Sequence, residues 1–244
     1  MLFTNNDTLK KLEKLLPEHI NNQSVPKDVL VIIDEYIPKL HDKNIRQVII
    51  DYLSEDYYDK QQVINNYGPI NKWDVSRVTN MNSLFKNYEE FNEDISNWDV
   101  SKVTDMSRMF WGASSFNQPL NNWDVSNVTT MNRMFQGTKF FNQPLNNWNV
   151  CNVTNMEAIF GAAETFNQPL NNWDVSKVKY MNWMFNNANE FNQPLNDWNV
   201  SNVTDMEDIF RYAEAFNQPL NNWNVSNVCF EKLIKNGSRL CYNP

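Results

Sequence analysis

The side chains able to carry chemistry are few and scattered. The two histidines, His19 and His41, lie near the start of the chain, far in sequence from the cysteines Cys151, Cys229 and Cys241. A serine recurs through the later chain, as in Ser76, Ser101 and Ser126, but a serine nucleophile needs an adjacent base, and none accompanies it. No His/Cys spacing suits a metal, and no glycine-rich loop could cradle a phosphate. The expectation is therefore no catalytic residue, no cofactor and no metal ligand. The remaining candidates are carboxylates. Asp74, Asp99 and Asp124 each follow a tryptophan. Either a cation or basic partner relieves repulsion among them, or solvent and the nearby Arg77 and Lys102 suffice.

Those tryptophans expose the organisation. Trp73, Trp98, Trp123, Trp148, Trp173, Trp198 and Trp223 are spaced 25 residues apart. A fixed period of this size marks a repeat architecture, in which one unit cannot bury its apolar face alone and stacked neighbours can. Counting each Trp as position 0, Val follows at +2 and +5 and Met at +8. Leu, Met or Ile stands at +11, Phe at +12 and +18, and mostly Ala at +15. The +8, +11, +12 and +15 columns have helical spacing, and Thr at +6 suits a helix cap. Thr154 to Glu157 and Thr204 to Glu207 read as capping boxes. Leu120 to Val128 reads L-x-x-W-x-V-x-x-V, a leucine-rich-repeat pattern with Trp in a Leu slot. The W-x-V core alternates as a short strand does. The expected fold class is an α/β repeat, with one short parallel strand and one short helix per 25-residue coil. The asparagine columns at +19 (Asn117, Asn142, Asn167) and +24 (Asn122, Asn147, Asn172) are expected to bond the backbones of adjoining coils.

The front end reads as helical. Leu9, Leu12, Leu15 and Leu16 share one face, Pro26 suits the start of a second helix, and Asn44 to Leu53 and Asp59 to Asn65 suggest two more. The domain expectation is a helical N-terminal cap over 1–66, seven coils over 67–228 and a C-terminal cap over 229–244. In that last segment Glu231 and Lys235 replace the expected Met and Phe. Cys229 and Cys241 there could meet, and a free thiol pair is the favoured reading in a reducing compartment.

Two resemblances follow from these residues. The phrase Phe116-Asn117-Gln118-Pro119-Leu120-Asn121-Asn122-Trp123-Asp124-Val125-Ser126-Asn127-Val128-Thr129 resembles the BspA-like leucine-rich repeat family, over residues 67–228. That resemblance implies a right-handed solenoid and a binding or adhesive role without catalysis. A shorter stretch, Val25 to Leu30 with Ile33 and Tyr36 to Pro38, resembles the start of an F-box. It implies docking on a ubiquitin-ligase adaptor through Pro26, Leu30, Ile33 and Tyr36.

Charge and hydropathy narrow the partner. The net charge of −8 argues against a nucleic-acid surface, which needs clustered Lys and Arg. No apolar run is long enough to span a membrane, and no apolar signal core stands at the start, which favours a cytoplasmic over a secreted protein. The expected partner is a protein, and a homo-oligomer is compatible with the repeat. Trp111, Tyr180 and Trp183 are aromatics off the core columns. Tyr180 and Trp183 are expected on one helical turn, as a contact patch or as packing against neighbouring loops.

Overall fold

The computed structural model describes residues 39–228. The expected helices over 7–16 and from Pro26, the F-box-like stretch and the segment from Cys229 onward lie outside the described residues. Two short helices open the described chain. α1 spans Ile45–Tyr52 and buries Ile45, Val48, Ile49 and Tyr52. Its apolar residues recur at helical spacing, so one face packs inward. α2 spans Tyr57–Tyr67. The Asp56 carboxylate starts it by accepting the Tyr58 N–H at 2.7 Å, the bond that an N-cap side chain supplies. Gly68 ends it at φ +73°, a left-handed geometry that glycine adopts without penalty.

From Trp73 onward the chain forms a stack of 25-residue coils, but not the expected one. The described residues hold no helix after Lys72 and no strand longer than a single parallel bridge. Those bridges run Asn80 to Asp105, Thr130, Asn155, Tyr180 and Asp205. The α/β leucine-rich-repeat solenoid of strand plus helix is therefore corrected to a stack of turns.

Two local causes defeat the regular elements. The residue at +1 bends the would-be strand. Asp99 Oδ1 accepts the Ser101 N–H at 3.1 Å, and Val103 N–H then bonds Val100 O at 2.9 Å. Asp and Asn favour such turns because a short side chain can bond the backbone two residues on. The would-be helix is broken by left-handed residues at +10 and +14. Arg108, Arg133, Ala158, Trp183 and Asp208 have φ of 57°, 59°, 49°, 58° and 53°, and Gly112 and Gly137 stand at 74°. A right-handed helix cannot pass through these angles. The Thr at +6 caps nothing. Thr129 Oγ1 instead donates to Thr104 O in the preceding coil at 3.1 Å.

Alternate residues of this bent segment bond along the stack. Met106, Arg108, Phe110 and Gly112 donate their N–H groups to Thr130, Asn132, Met134 and Gln136 carbonyls, at 3.1, 2.9, 2.9 and 2.8 Å. The intervening residues close local turns, such as Met109 N–H to Met106 O and Trp111 N–H to Arg108 O. Every one of the four axial columns points the same way, with N–H toward the C-terminal end. Peptide dipoles so aligned add, as they do in a helix. Two further columns run oppositely, through bonds such as Thr129 N–H to Thr104 O and Ser115 N–H to Glu89 O.

The first coil has no predecessor to complete these columns, and residues 42 and 46 serve in its place. The Asp42 carboxylate accepts Thr79 N–H at 2.8 Å, Thr79 Oγ1–H at 2.6 Å and Asn80 N–H at 3.0 Å. Arg46 of α1 donates to the Asn82 carbonyl and, at 2.9 Å, to Asn80 Oδ1. A cation therefore meets the carbonyl end of the aligned columns, the end where helix dipoles also favour positive charge.

The core runs along the axis as aromatic ladders. Phe85, Phe110, Phe135, Phe160, Phe185 and Phe210 stack at centroid spacings of 5.5–5.8 Å. Each Phe at +18 lies beside the Phe at +12 of its own coil, as Phe160 and Phe166 do at 4.0 Å. A fully buried Phe contributes roughly 1.5–3 kcal/mol. The tryptophans face inward as expected, and Trp148 Nε1–H donates at 2.9 Å to the carbonyl of Leu120, just before the preceding coil's Trp123. The +19 asparagines form the expected ladder. Asn142 Oδ1 accepts Asn167 N–H and Gln168 Nε2–H, both at 3.0 Å. At +24 it is the backbone that takes part. Asn147 N–H donates to the +23 side chain of Asn121 at 3.1 Å.

Candidate functional site

The acidic column lies exposed on the bent W-x-V segment, and its carboxylates are occupied locally. Asp74 Oδ1 accepts Ser76 Oγ–H at 2.7 Å and Ser76 N–H at 3.1 Å. Asp99 does the same with Ser101, at 2.6 and 3.1 Å. Asp124 Oδ1 accepts Ser126 N–H at 3.0 Å. The Ser76 hydroxyl above all holds the Asp74 carboxyl below its ordinary pKa, with Lys39 and Arg77 contributing. The Ser101 hydroxyl does so for Asp99, with help from Lys102 and against weak opposition from Asp74. The repeated serine hydroxyl is thus a donor to its own turn. Among the described residues, no group of His, Cys, Asp and Glu side chains could hold a metal ion.

The three off-column aromatics are not brought together. Trp111 lies in the second coil, and Tyr180 and Trp183 in the fifth. No helix carries Tyr180 and Trp183. Tyr180 is 46% exposed and sits on the parallel bridge, while Trp183 takes a left-handed turn and is half-buried. Phe140 and Tyr212 are more exposed, each at 59%. The adaptor-docking residues Pro26, Leu30, Ile33 and Tyr36 lie outside the described residues, as do His19, Cys229 and Cys241. Cys151 is a free, half-buried thiol.

Around Trp111 stands a cluster that the sequence reading overlooked. Lys86 Nζ lies 4.3 Å from the centroid of its ring system, and the guanidinium carbons of Arg108 and Arg133 lie at 5.9 and 5.7 Å. Lys86 and Trp111 share column +13, and Arg108 and Arg133 share column +10, so the coil stack alone sets them side by side. The signal was present in the sequence: two arginines separated by one repeat, with a Trp three residues after the first. Cations over an indole face gain about 0.5–1 kcal/mol at exposed sites. Arg133 is also paired, through Nε at 3.1 Å and Nη2 at 2.5 Å, with Glu157 Oε1 in the next coil.

Comparison with known proteins gives one match. The family model described as "Mycoplasma protein of unknown function, DUF285" matches residues 53–169 and 144–240. No curated protein and no solved structure matches the chain. The match agrees with the resemblance above at the level of a BspA-like repeat family. It does not extend to the leucine-rich-repeat motif, and the structure has turns in place of strand and helix. Among the described residues, no helix is long and apolar enough to cross a membrane.

Proposed function

Taking as premise that the chain belongs to the DUF285 family of Mycoplasma proteins of unknown function, we propose that its coil stack is a non-enzymatic protein-interaction module. One observation carries this reading. The inward columns repeat the same residue types coil after coil, while the +10 and +13 positions of the bent segment, half-buried in most coils, vary along the stack. Column +10 reads Ser83, Arg108, Arg133, Ala158, Trp183, Asp208, and column +13 reads Lys86, Trp111, Gln136, Gly161, Asn186, Arg211. A stiff scaffold that presents varied side chains on one face suits recognition. Large aromatics and arginines are the residues that carry most binding energy at interfaces.

Affinity capture with the full chain tests the reading. The expected result is a retained protein that is lost with Trp183→Ala or Trp111→Ala at unchanged thermal stability. Capture that is empty, or indifferent to both substitutions, contradicts it.

A further inference from the structure

We propose that Arg108, with Lys86 and Trp111, forms a binding site for a carboxylate of an acidic peptide segment. The register of the coils sets what Arg108 lacks. Arg133 at +10 uses the Nε–Nη2 edge of its guanidinium on Glu157, which occupies +9 of the next coil. Arg108 holds the same +10 place one coil earlier and has the same left-handed backbone. Its equivalent neighbour at +9 of the next coil is Asn132, which offers no carboxylate. Asn132 Oδ1 instead accepts from Thr130 Oγ1 at 3.3 Å. Arg108 Nε is left buried and without a hydrogen-bond partner.

A buried guanidinium N–H without an acceptor is costly, and a carboxylate meets the Arg fork with two parallel bonds. Neither Arg108 nor Lys86 is ion-paired among the described residues. The ion pairs found there join Lys39 to Asp74, Arg133 to Glu157, Lys139 to Glu164 and Arg211 to Asp208. One coil further along the Trp111 column, Gln136 Oε1 is also buried and unpartnered. A peptide supplies both complements, a carboxylate for Arg108 and Lys86 and a backbone or amide N–H for Gln136. The half-buried Trp111 ring gives the side-chain stem an apolar rest. Two free cations on a chain of net charge −8 make a short site rather than the long basic stripe that tracks a nucleic acid.

The proposal rests on the interaction-module reading and names the partner chemistry of that face. The test uses the full chain, a fluorescein-labelled hexaglutamate peptide, its hexaglutamine counterpart and inorganic phosphate, by fluorescence anisotropy at low salt. Asn132→Glu places in the repeat the carboxylate that Arg108 lacks, copying the Arg133–Glu157 pair. It should therefore fold at least as stably as the wild type and weaken hexaglutamate binding by about ten-fold or more. Arg108→Gln should weaken it similarly, while Glu157→Gln should not weaken it. Equal binding of hexaglutamate by the wild type and a folded Asn132→Glu variant overturns the proposal. So does hexaglutamine binding as tightly, or phosphate binding with no response to hexaglutamate. If hexaglutamate fails while affinity capture still retains a Trp183-dependent protein, only this site falls. If capture is empty while hexaglutamate binding responds to Asn132→Glu, the site stands and the protein-partner reading falls.

Discussion

Replacing Ala162 by glycine separates a stack of turns from a stack of helices by the sign of its effect. Ala162 sits at +14 with φ +53° and donates its N–H to Asn186 O of the next coil. An L-residue in the left-handed region costs roughly 1–2 kcal/mol, which glycine avoids. Glycine also gives the unfolded chain more freedom, a loss of about 0.4–1 kcal/mol. The net expectation for Ala162→Gly runs from neutral to about 1.6 kcal/mol of stabilisation. In a helix interior the same change would cost about 0.8–1 kcal/mol. Ala163 is the control. It is buried, lies outside the left-handed set and follows directly in sequence. Ala163→Gly loses a buried methyl, about 0.8 kcal/mol, on top of the same chain-entropy loss. Urea unfolding of the three proteins, compared by midpoint at constant slope, reads the difference. Equal destabilisation of both variants by about 1 kcal/mol would refute the left-handed turn at +14.

Further outcomes follow from the same geometry. Asp42→Ala removes the acceptor of the Thr79 and Asn80 N–H groups, and should speed hydrogen exchange at those two amides while leaving Phe160 protected. Asp42 itself titrates low, because burial, which would raise its pKa, is outweighed by the Thr79 hydroxyl and the Thr79 and Asn80 N–H groups. For Asp74, Asp99 and Asp174 the folded pKa likewise lies below the unfolded value. Their contribution is therefore full above about pH 4–5 and is lost as pH falls through the folded values. Thermal stability should be flat near neutrality and decline on acidification. Ser101→Ala should bring the Asp99 carboxyl back toward its ordinary range, read by carboxyl NMR titration. Asn142→Ala strands the half-buried Asn167 N–H and Gln168 amide, and should cost about 1–3 kcal/mol, whereas Asn97→Ala on the exposed surface should cost under about 0.5 kcal/mol.

The period, the buried columns and the +19 asparagine ladder were legible because each leaves one residue type at one spacing. The secondary structure was not, and the reason is specific. Met131, Met134, Phe135 and Thr138 are all buried, as a helical face would be, yet a chain of turns buries the same four positions. Periodicity records which side chains face in and does not record the sign of φ. Column +14 carried a hint, reading Asn87, Gly112, Gly137, Ala162, Asn187, Tyr212, since Asn and Gly tolerate left-handed backbone. Column +10 carried a hint only at Asp208, because Arg108, Arg133 and Trp183 have no such preference. The Asp at +1 looks like a surface charge in sequence, although Asp-x-Ser after Trp is also the signature of a side-chain-closed turn. The Trp111 cluster could be found only by setting adjacent units side by side, because its members come from three coils.

The axial bonds underlie the register argument, the outward face and the left-handed turns alike, so observing one of them directly is the sharpest test. Scalar coupling across hydrogen bonds, measured in a long-range HNCO experiment on isotope-labelled protein, reports which carbonyl accepts a given N–H. A correlation from Phe110 N to the Met134 carbonyl, one coil on, is predicted, with its counterpart from Phe135 N to Ile159. A correlation from Phe110 N to the Met106 carbonyl, four residues back, would restore the helix and contradict the stack of turns.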